Sequence, residues 1–245
     1  MDREHFYGLM TGEGQFDYEL YLNTRKLLSC QNDFDGFANR DELQFQIVHQ
    51  VEELWMKLIA YTLLDIDEYL QAENTNRVVT LFRRVHMTLR LMTEQLGLLE
   101  TMSPKEYQEI RLQLGHGSGQ ESPGFRTILQ MHHALWDSFK TRYLDARGLT
   151  VEKIYDSGYS HSDSYVVAES LAEYDELFQK FRYHHLQLIH RSIGLNAKSL
   201  KGRSVQVLED GLSTQFFREL WDIRNQMTDA WGAQYGIVRD SITER

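Results

Sequence analysis

Residues 178–193 read Phe178-Gln-Lys-Phe181-Arg-Tyr-His184-His185-Leu-Gln-Leu188-Ile189-His190-Arg-Ser-Ile193. At about 100° of rotation per residue, Phe178, Phe181, Leu188, Ile189 and Ile193 point into one arc. His185 falls near its middle, His184 at its edge and His190 on the far side. The spacing predicts an amphipathic helix from about Val166 to Ile193, stopped by Gly194. An imidazole on such a face has two readings, a core histidine bonded to a backbone carbonyl or a ligand to a metal or haem iron. A second, independently placed site is needed to choose between them.

Upstream, the same helical period recurs. Tyr18 to Ser29 predicts a first short helix, and Gln31 to Asn39 a polar loop with Gly36. A long helix is expected from about Asp41 to Leu70, with Leu43, Ile47, Val51, Leu54, Leu58 and Tyr61 on one stripe and Phe45, Val48, Trp55 and Ile59 widening it. A helix apolar over so much of its girth is expected to be covered on more than one side. Arg77 to Glu100 repeats Val79, Phe82, Val85, Leu89, Met92 and Leu96 every three or four residues, and Ser103-Pro104 opens a short helix with a capping serine and a first-turn proline. Phe125 to Arg147 reads as a further helix, followed by a polar stretch around Asp156 to Ser164, and Ser213 to Trp231 reads as the last. The fold expected is all-α, one domain over residues 1–245.

The 245 residues, 42% of them hydrophobic, can bury one sizeable core. Only two prolines, Pro104 and Pro123, interrupt them, and alternating apolar runs are lacking, which favours long helices over strands. A formal net charge of −10 argues against nucleic acid and anionic membranes as partners. No segment reaches the roughly 18 apolar residues of a membrane span, and Met1 to Met10 has no apolar signal core. Cys30 is the only cysteine, so neither a disulfide framework nor a cysteine-based zinc site is available. These features point to a cytoplasmic protein.

Gly115-His116-Gly117-Ser118-Gly119-Gln120-Glu121-Ser122-Pro123-Gly124 packs four glycines into ten residues, a loop with tight turns or close backbone approach. It is no phosphate cradle, because no Gly-Lys-Ser/Thr follows and no strand precedes. Glu-x-x-His and His-Glu-x-x-His are absent from all ten histidines, against a di-iron bundle and a zincin, and Gly-Ser-Gly at 117–119 lacks the strand of a hydrolase elbow. His49 with Glu52 or Glu53 is a weak metal candidate. Phe45 and His49 share a helix face, and Tyr107 and Arg111 stand one turn apart beside the glycine-rich loop. A planar guanidinium there suits bidentate capture of a carboxylate; its ordinary alternative is a surface salt bridge. Together these residues suggest a pocket for an aromatic amino acid.

From about Tyr18 to Arg224 the chain resembles the tryptophan 2,3-dioxygenase family, in five blocks. They are Tyr18-Glu-Leu-Tyr21-Leu22; Phe45-Gln-Ile-Val-His49-Gln-Val-Glu-Glu53-Leu-Trp55-Met-Lys57; Glu106-Tyr107-Gln-Glu-Ile-Arg111 with Leu114-Gly115 and Ser118-Gly119; Phe181-Arg-Tyr-His-His185 through Arg191-Ser-Ile-Gly194; and Thr214-Gln-Phe216-Phe217-Arg-Glu219-Leu-Trp221-Asp222-Ile-Arg224. The resemblance implies a helical bundle enclosing b-type haem, with His185 as axial iron ligand and dioxygen as co-substrate. It implies that His49 meets the substrate's ring nitrogen, that Phe45 and Tyr107 wall the ring, and that Arg111 holds the amino-acid carboxylate. Ser118 corresponds to a pocket hydroxyl at the haem edge, and Tyr18, Tyr21 and Leu22 to a helix that reaches the neighbouring subunit's pocket in a homotetramer, a dimer of dimers. The implied reaction adds both oxygen atoms across the indole C2–C3 bond of L-tryptophan to give N-formylkynurenine, the entry to kynurenine catabolism.

The chain departs from the family after the axial helix, where a Gly-Thr-Gly-Gly loop is replaced by Leu195-Asn-Ala-Lys-Ser199-Leu-Lys-Gly202, with Ser199 in the threonine's role. Leu96 stands where bacterial relatives carry a tryptophan, and His116, Gln120 and Glu121 add polar groups to the glycine-rich loop. A buried Glu121 would favour a substrate with an additional donor. Two alternatives stay open: a natural-product enzyme that adds one or two oxygens to a tryptophan derivative, an oxindole or tyrosine, and a non-catalytic helical binding protein.

Overall fold

The structure, a computed structural model, describes residues 2–10, 12, 14–115, 119–195, 198, 211–212 and 214–231. Its helices are α1 (Arg3–Met10), α2 (Asp17–Leu22), α3 (Thr24–Leu27), α4 (Glu42–Gln71), α5 (Thr75–Leu99), α6 (Pro104–Gln113), α7 (Pro123–Phe139), α8 (Val151–Tyr155), α9 (Asp163–Ile193) and α10 (Arg218–Trp231). The class is all-α as expected; among the described residues only Lys198 has bridge geometry. α5 lies between α4 and α9, and α7 packs on α4. One apolar cluster joins them from Phe45 to Leu220.

Local chemistry explains most boundaries. Ser162 accepts the Tyr165 N–H to open α9, and Gly194 closes it at φ 91°. Ser103 and Glu106 form a reciprocal cap at the start of α6, where the Ser103 N–H donates to Glu106 Oε2 at 3.1 Å. The polar loop before α4 is drawn in by Glu42, a buried carboxylate that accepts from the Ala38 N–H, Asn32 Nδ2 and Gln46 Nε2. Satisfying it this fully offsets the cost of its burial.

Four expectations need correcting. The helix expected over Tyr18–Ser29 is divided by Asn23, in the left-handed region at φ 53°, a conformation asparagine tolerates better than most residues. The helix expected to run to Arg147 instead widens into a π turn at Lys140–Leu144 and a 3₁₀ turn at Asp145–Arg147. The Tyr143 carbonyl, on that widened turn, takes the Ser164 hydroxyl at 2.7 Å. α1 and α8 are short helices that the pattern did not announce. The last helix starts at Arg218, because the buried Asp175 carboxylate captures the N–H groups of Phe216 and Phe217 just ahead of it, at 2.8 and 3.2 Å.

The two stripes of α4 are resolved in opposite directions. Phe45, Val48, Met56, Ile59, Leu63, Ile66 and Leu70 line the core, whereas Ile47, Leu54, Tyr61 and Leu64 remain exposed. α5 and α7 cover the first stripe, and no described helix covers the second.

Candidate active site

α4 supplies the first half of the site. The His49 Nδ1 lies 2.7 Å from the Phe45 carbonyl oxygen, one turn back. A carbonyl can only accept, so Nδ1 carries the proton and Nε2 keeps its lone pair. The Phe45 ring rests on the His49 imidazole, with centroids 4.1 Å apart, and stands 6.3 Å from the ring of Tyr107 on α6. Loss of hydration lowers the His49 pKa, against the Phe45 carbonyl and the Glu53 carboxylate, which raise it. Yet the ring is exposed. The side chain is thus crowded by its neighbours while part of it still reaches solvent.

α9 supplies the second half. Of its three histidines, His184 is exposed and His185 turns inward beside Phe181, with ring centroids 6.4 Å apart, as the helical phase predicts. Burial takes the His185 pKa down to about 4, and the nearby His49 imidazole pushes the same way. At pH 7 the ring is therefore neutral and holds a lone pair. It makes no hydrogen bond among the described residues, which removes the carbonyl-bonded core histidine as its explanation. Its Nε2 edge faces Gly119, where an added Cβ would lie 3.8 Å away. A neutral imidazole among aromatic side chains, with a ring nitrogen free of partners among the described residues, is the kind of donor that haem iron takes. No third donor joins His49 and Glu52 or Glu53: no three His, Cys, Asp or Glu side chains gather into a metal-binding group among the described residues.

α6 closes the site. Its Tyr107 is pushed up in pKa by burial, with the Arg111 charge opposing. Arg111 Nη2 donates to the Lys198 carbonyl at 2.6 Å and Nη1 reaches Gln108 Oε1 at 3.4 Å. Among the described residues no carboxylate engages this guanidinium. Phe45, His49, Tyr107, Arg111 and His185 are thus drawn together from three helices.

Other expected residues are not drawn in. Tyr18, Tyr21 and Leu22 lie on the exposed α2, with Tyr21 90% exposed. Ser118, Ser199 and His116 fall outside the described residues, as does the side chain of Gln120. Glu121 is exposed, which removes the premise for a substrate chosen by a buried carboxylate at that position. One group escaped the sequence reading in its structural role: Glu53 Oε2 accepts the Gly124 N–H at 3.0 Å, a tie spanning 71 residues. The tight Pro123-Gly124 pair was the only local hint.

Known proteins resemble this chain. A sequence model described as tryptophan 2,3-dioxygenase matches residues 7–132. The chain is 30% identical to a tryptophan 2,3-dioxygenase of Myxococcus xanthus (strain DK1622), covering 88% of this chain and 91% of that relative. It is 27% identical to the Serratia proteamaculans (strain 568) protein of the same name, over 87% of this chain and 94% of the relative. A Xanthomonas oryzae pv. oryzae (strain PXO99A) tryptophan 2,3-dioxygenase is 29% identical over 88% and 89%.

Proposed function

Since the chain belongs to the tryptophan 2,3-dioxygenase family, we propose that it is a cytoplasmic, homotetrameric haem enzyme that adds dioxygen across the indole C2–C3 bond of L-tryptophan to give N-formylkynurenine. One observation supports this reading: His49 on α4 and His185 on α9 lie close enough for His185 to sense the His49 imidazole, with Phe45 stacked on His49 and Tyr107 and Arg111 next to it on α6.

Each residue then has a chemical task. His185, kept neutral at pH 7 by burial, would hold the haem iron. Bound haem supplies the redox chemistry that introduces both atoms of dioxygen. His49, its tautomer fixed by Phe45, accepts the indole N–H at Nε2 and orients C2 and C3 towards the oxidant. Phe45 and Tyr107 flank the ring and exclude water, while Arg111, fixed at one end by the Lys198 carbonyl, turns its remaining donors to the substrate carboxylate. The family resemblance assigns substrate contacts to Ser118 and Ser199 as well, both outside the described residues. The exposed α2, with Tyr18, Tyr21 and Leu22, reaches a neighbouring copy.

The test is spectroscopic and chemical. Haemin added to the purified chain should produce a Soret band that His185→Ala shifts or abolishes. The loaded protein, given L-tryptophan, ascorbate and air, should form a product heavier by two oxygen atoms. A protein that stays colourless defeats the enzyme reading, and a product with one added oxygen moves it to the natural-product alternative. His49→Ala should lower turnover by about 10²-fold or less, since orientation and not bond-making is lost.

A further inference from the structure

The glycine-rich segment leaves α6 and enters α7, and its far end is fastened in an unusual way. Gly124 lies in the first turn of α7, where backbone N–H groups have no partner within the helix. Its N–H is taken by Glu53 Oε2 at 3.0 Å, a carboxylate from α4 acting as a cap on another helix and favoured there by the α7 dipole. The contact is closer than a side chain allows. A Cβ on Gly124 would meet Met56 Cβ at 2.6 Å and Glu53 Oε2 at 2.9 Å, so only glycine lets the two helices approach here. Ser122 adds to the same seam, accepting the Phe125 N–H and directing its hydroxyl towards the Met56 sulfur.

Position gives this seam its meaning. Glu53 stands one turn after His49 on α4, and five residues before Gly124 the chain passes the Nε2 edge of His185 at Gly119. The stretch between the two imidazoles is therefore hung from the His49 helix. We propose that Glu53 is a positioning residue: with Gly124 it forms a clasp that sets where the Gly119–Ser122 segment stands relative to His49 and His185, and so the shape of the substrate concavity. The proposal deepens the tryptophan-oxygenase reading and rests on it for its catalytic consequence, but the clasp itself is testable without it. Glu53 touches neither substrate nor cofactor in this scheme; it acts through the backbone it holds. Its carboxylate also raises the basicity of His49, which suits a shared location without being needed for the clasp.

Hydrogen exchange on the purified full chain reads the clasp directly. Losing a hydrogen bond to a charged acceptor should speed exchange in peptides covering 119–124 by about tenfold or more in Glu53→Ala, with the rest of α4 and α9 still protected. Glu53→Gln keeps an accepting oxygen and should stay near wild type. Gly124→Ala attacks the seam from the other side and should reproduce Glu53→Ala, and the double variant should be no worse than either alone. In the haem-loaded enzyme, Glu53→Ala should raise KM for L-tryptophan about tenfold with the Soret band unchanged and kcat much less affected. Wild-type exchange in Glu53→Ala and Gly124→Ala, or equal loosening in Glu53→Gln, overturns the clasp. Faster exchange in a chain whose wild type never oxidises tryptophan leaves the clasp standing and removes the functional reading instead.

Discussion

Burial of Glu52 in the seam between α4 and α5 pushes its carboxyl up to about 7, chiefly through lost hydration, with the neighbouring Glu53 charge adding to it. Gln95 across the seam is near enough to soften the effect, but neither Glu52 oxygen meets it with hydrogen-bond geometry. The folded protein thus holds this proton more tightly than the unfolded chain, whose glutamate titrates near 4.5. Stability from this group is full below that value and lost as pH rises from about 4.5 through about 7. Glu52→Gln should therefore raise stability at pH 8 by about 1–3 kcal/mol and change little at pH 4, as urea melts at the two values would show. A variant equally stabilised at both would contradict the assignment. At this scale, much of the site was legible in the sequence. The inward placement of His185 followed from helical phase, while its proposed role, like those of His49, Phe45, Tyr107 and Arg111, came from the family pattern together with short-range spacing. Glu53 and Glu52 were seen only as possible metal donors, because a tie over 71 residues and a cross-helix burial leave no periodic trace.

Among the elements, α10 shows how a single buried charge can seat a helix. Asp175 is fully buried on α9, and its Oδ2 gathers the backbone N–H groups of Phe216 and Phe217 and the indole N–H of Trp221. The docking brings Phe216 onto Phe178, with ring centroids 4.8 Å apart, and Phe178 lies beside Phe181 in the wall that leads to His185. Asp175→Ala would strand three buried donors, at a cost of about 2–4 kcal/mol. Its denaturant midpoint should fall with the slope unchanged, and its haem affinity should fall with it. Arg218→Ala, which removes only the exposed ion pair with Asp222 on the same α10, should cost less than about 0.5 kcal/mol. The class and the long helices were readable from periodicity, and Gly194 and Ser103-Pro104 marked real boundaries, whereas the short α1 and α8 left no apolar repeat to read. The breaks were not. Asn23, the π turn at Lys140–Leu144 and the late start of α10 each answer to a partner distant in sequence or to a backbone conformation that apolar spacing does not encode.

For the molecule as a whole, apolar spacing revealed two greasy stripes on α4 but not which one its own neighbours would cover. The stripe of Ile47, Leu54, Tyr61 and Leu64 repeats at coiled-coil intervals and is left to solvent by α5 and α7. In the proposed tetramer such a stripe is the natural seam, and light scattering on the full chain should give a particle near four times 28.9 kDa. A single 28.9 kDa species at micromolar concentration would refute that assembly. Leu54→Glu should shrink the particle without altering helix content. If the outer stripe of α4 is that seam, durability depends on abundance. Mass action protects a surface shared between copies only while copies are plentiful, so the unfolding temperature should climb with each tenfold increase in protein and sag on dilution.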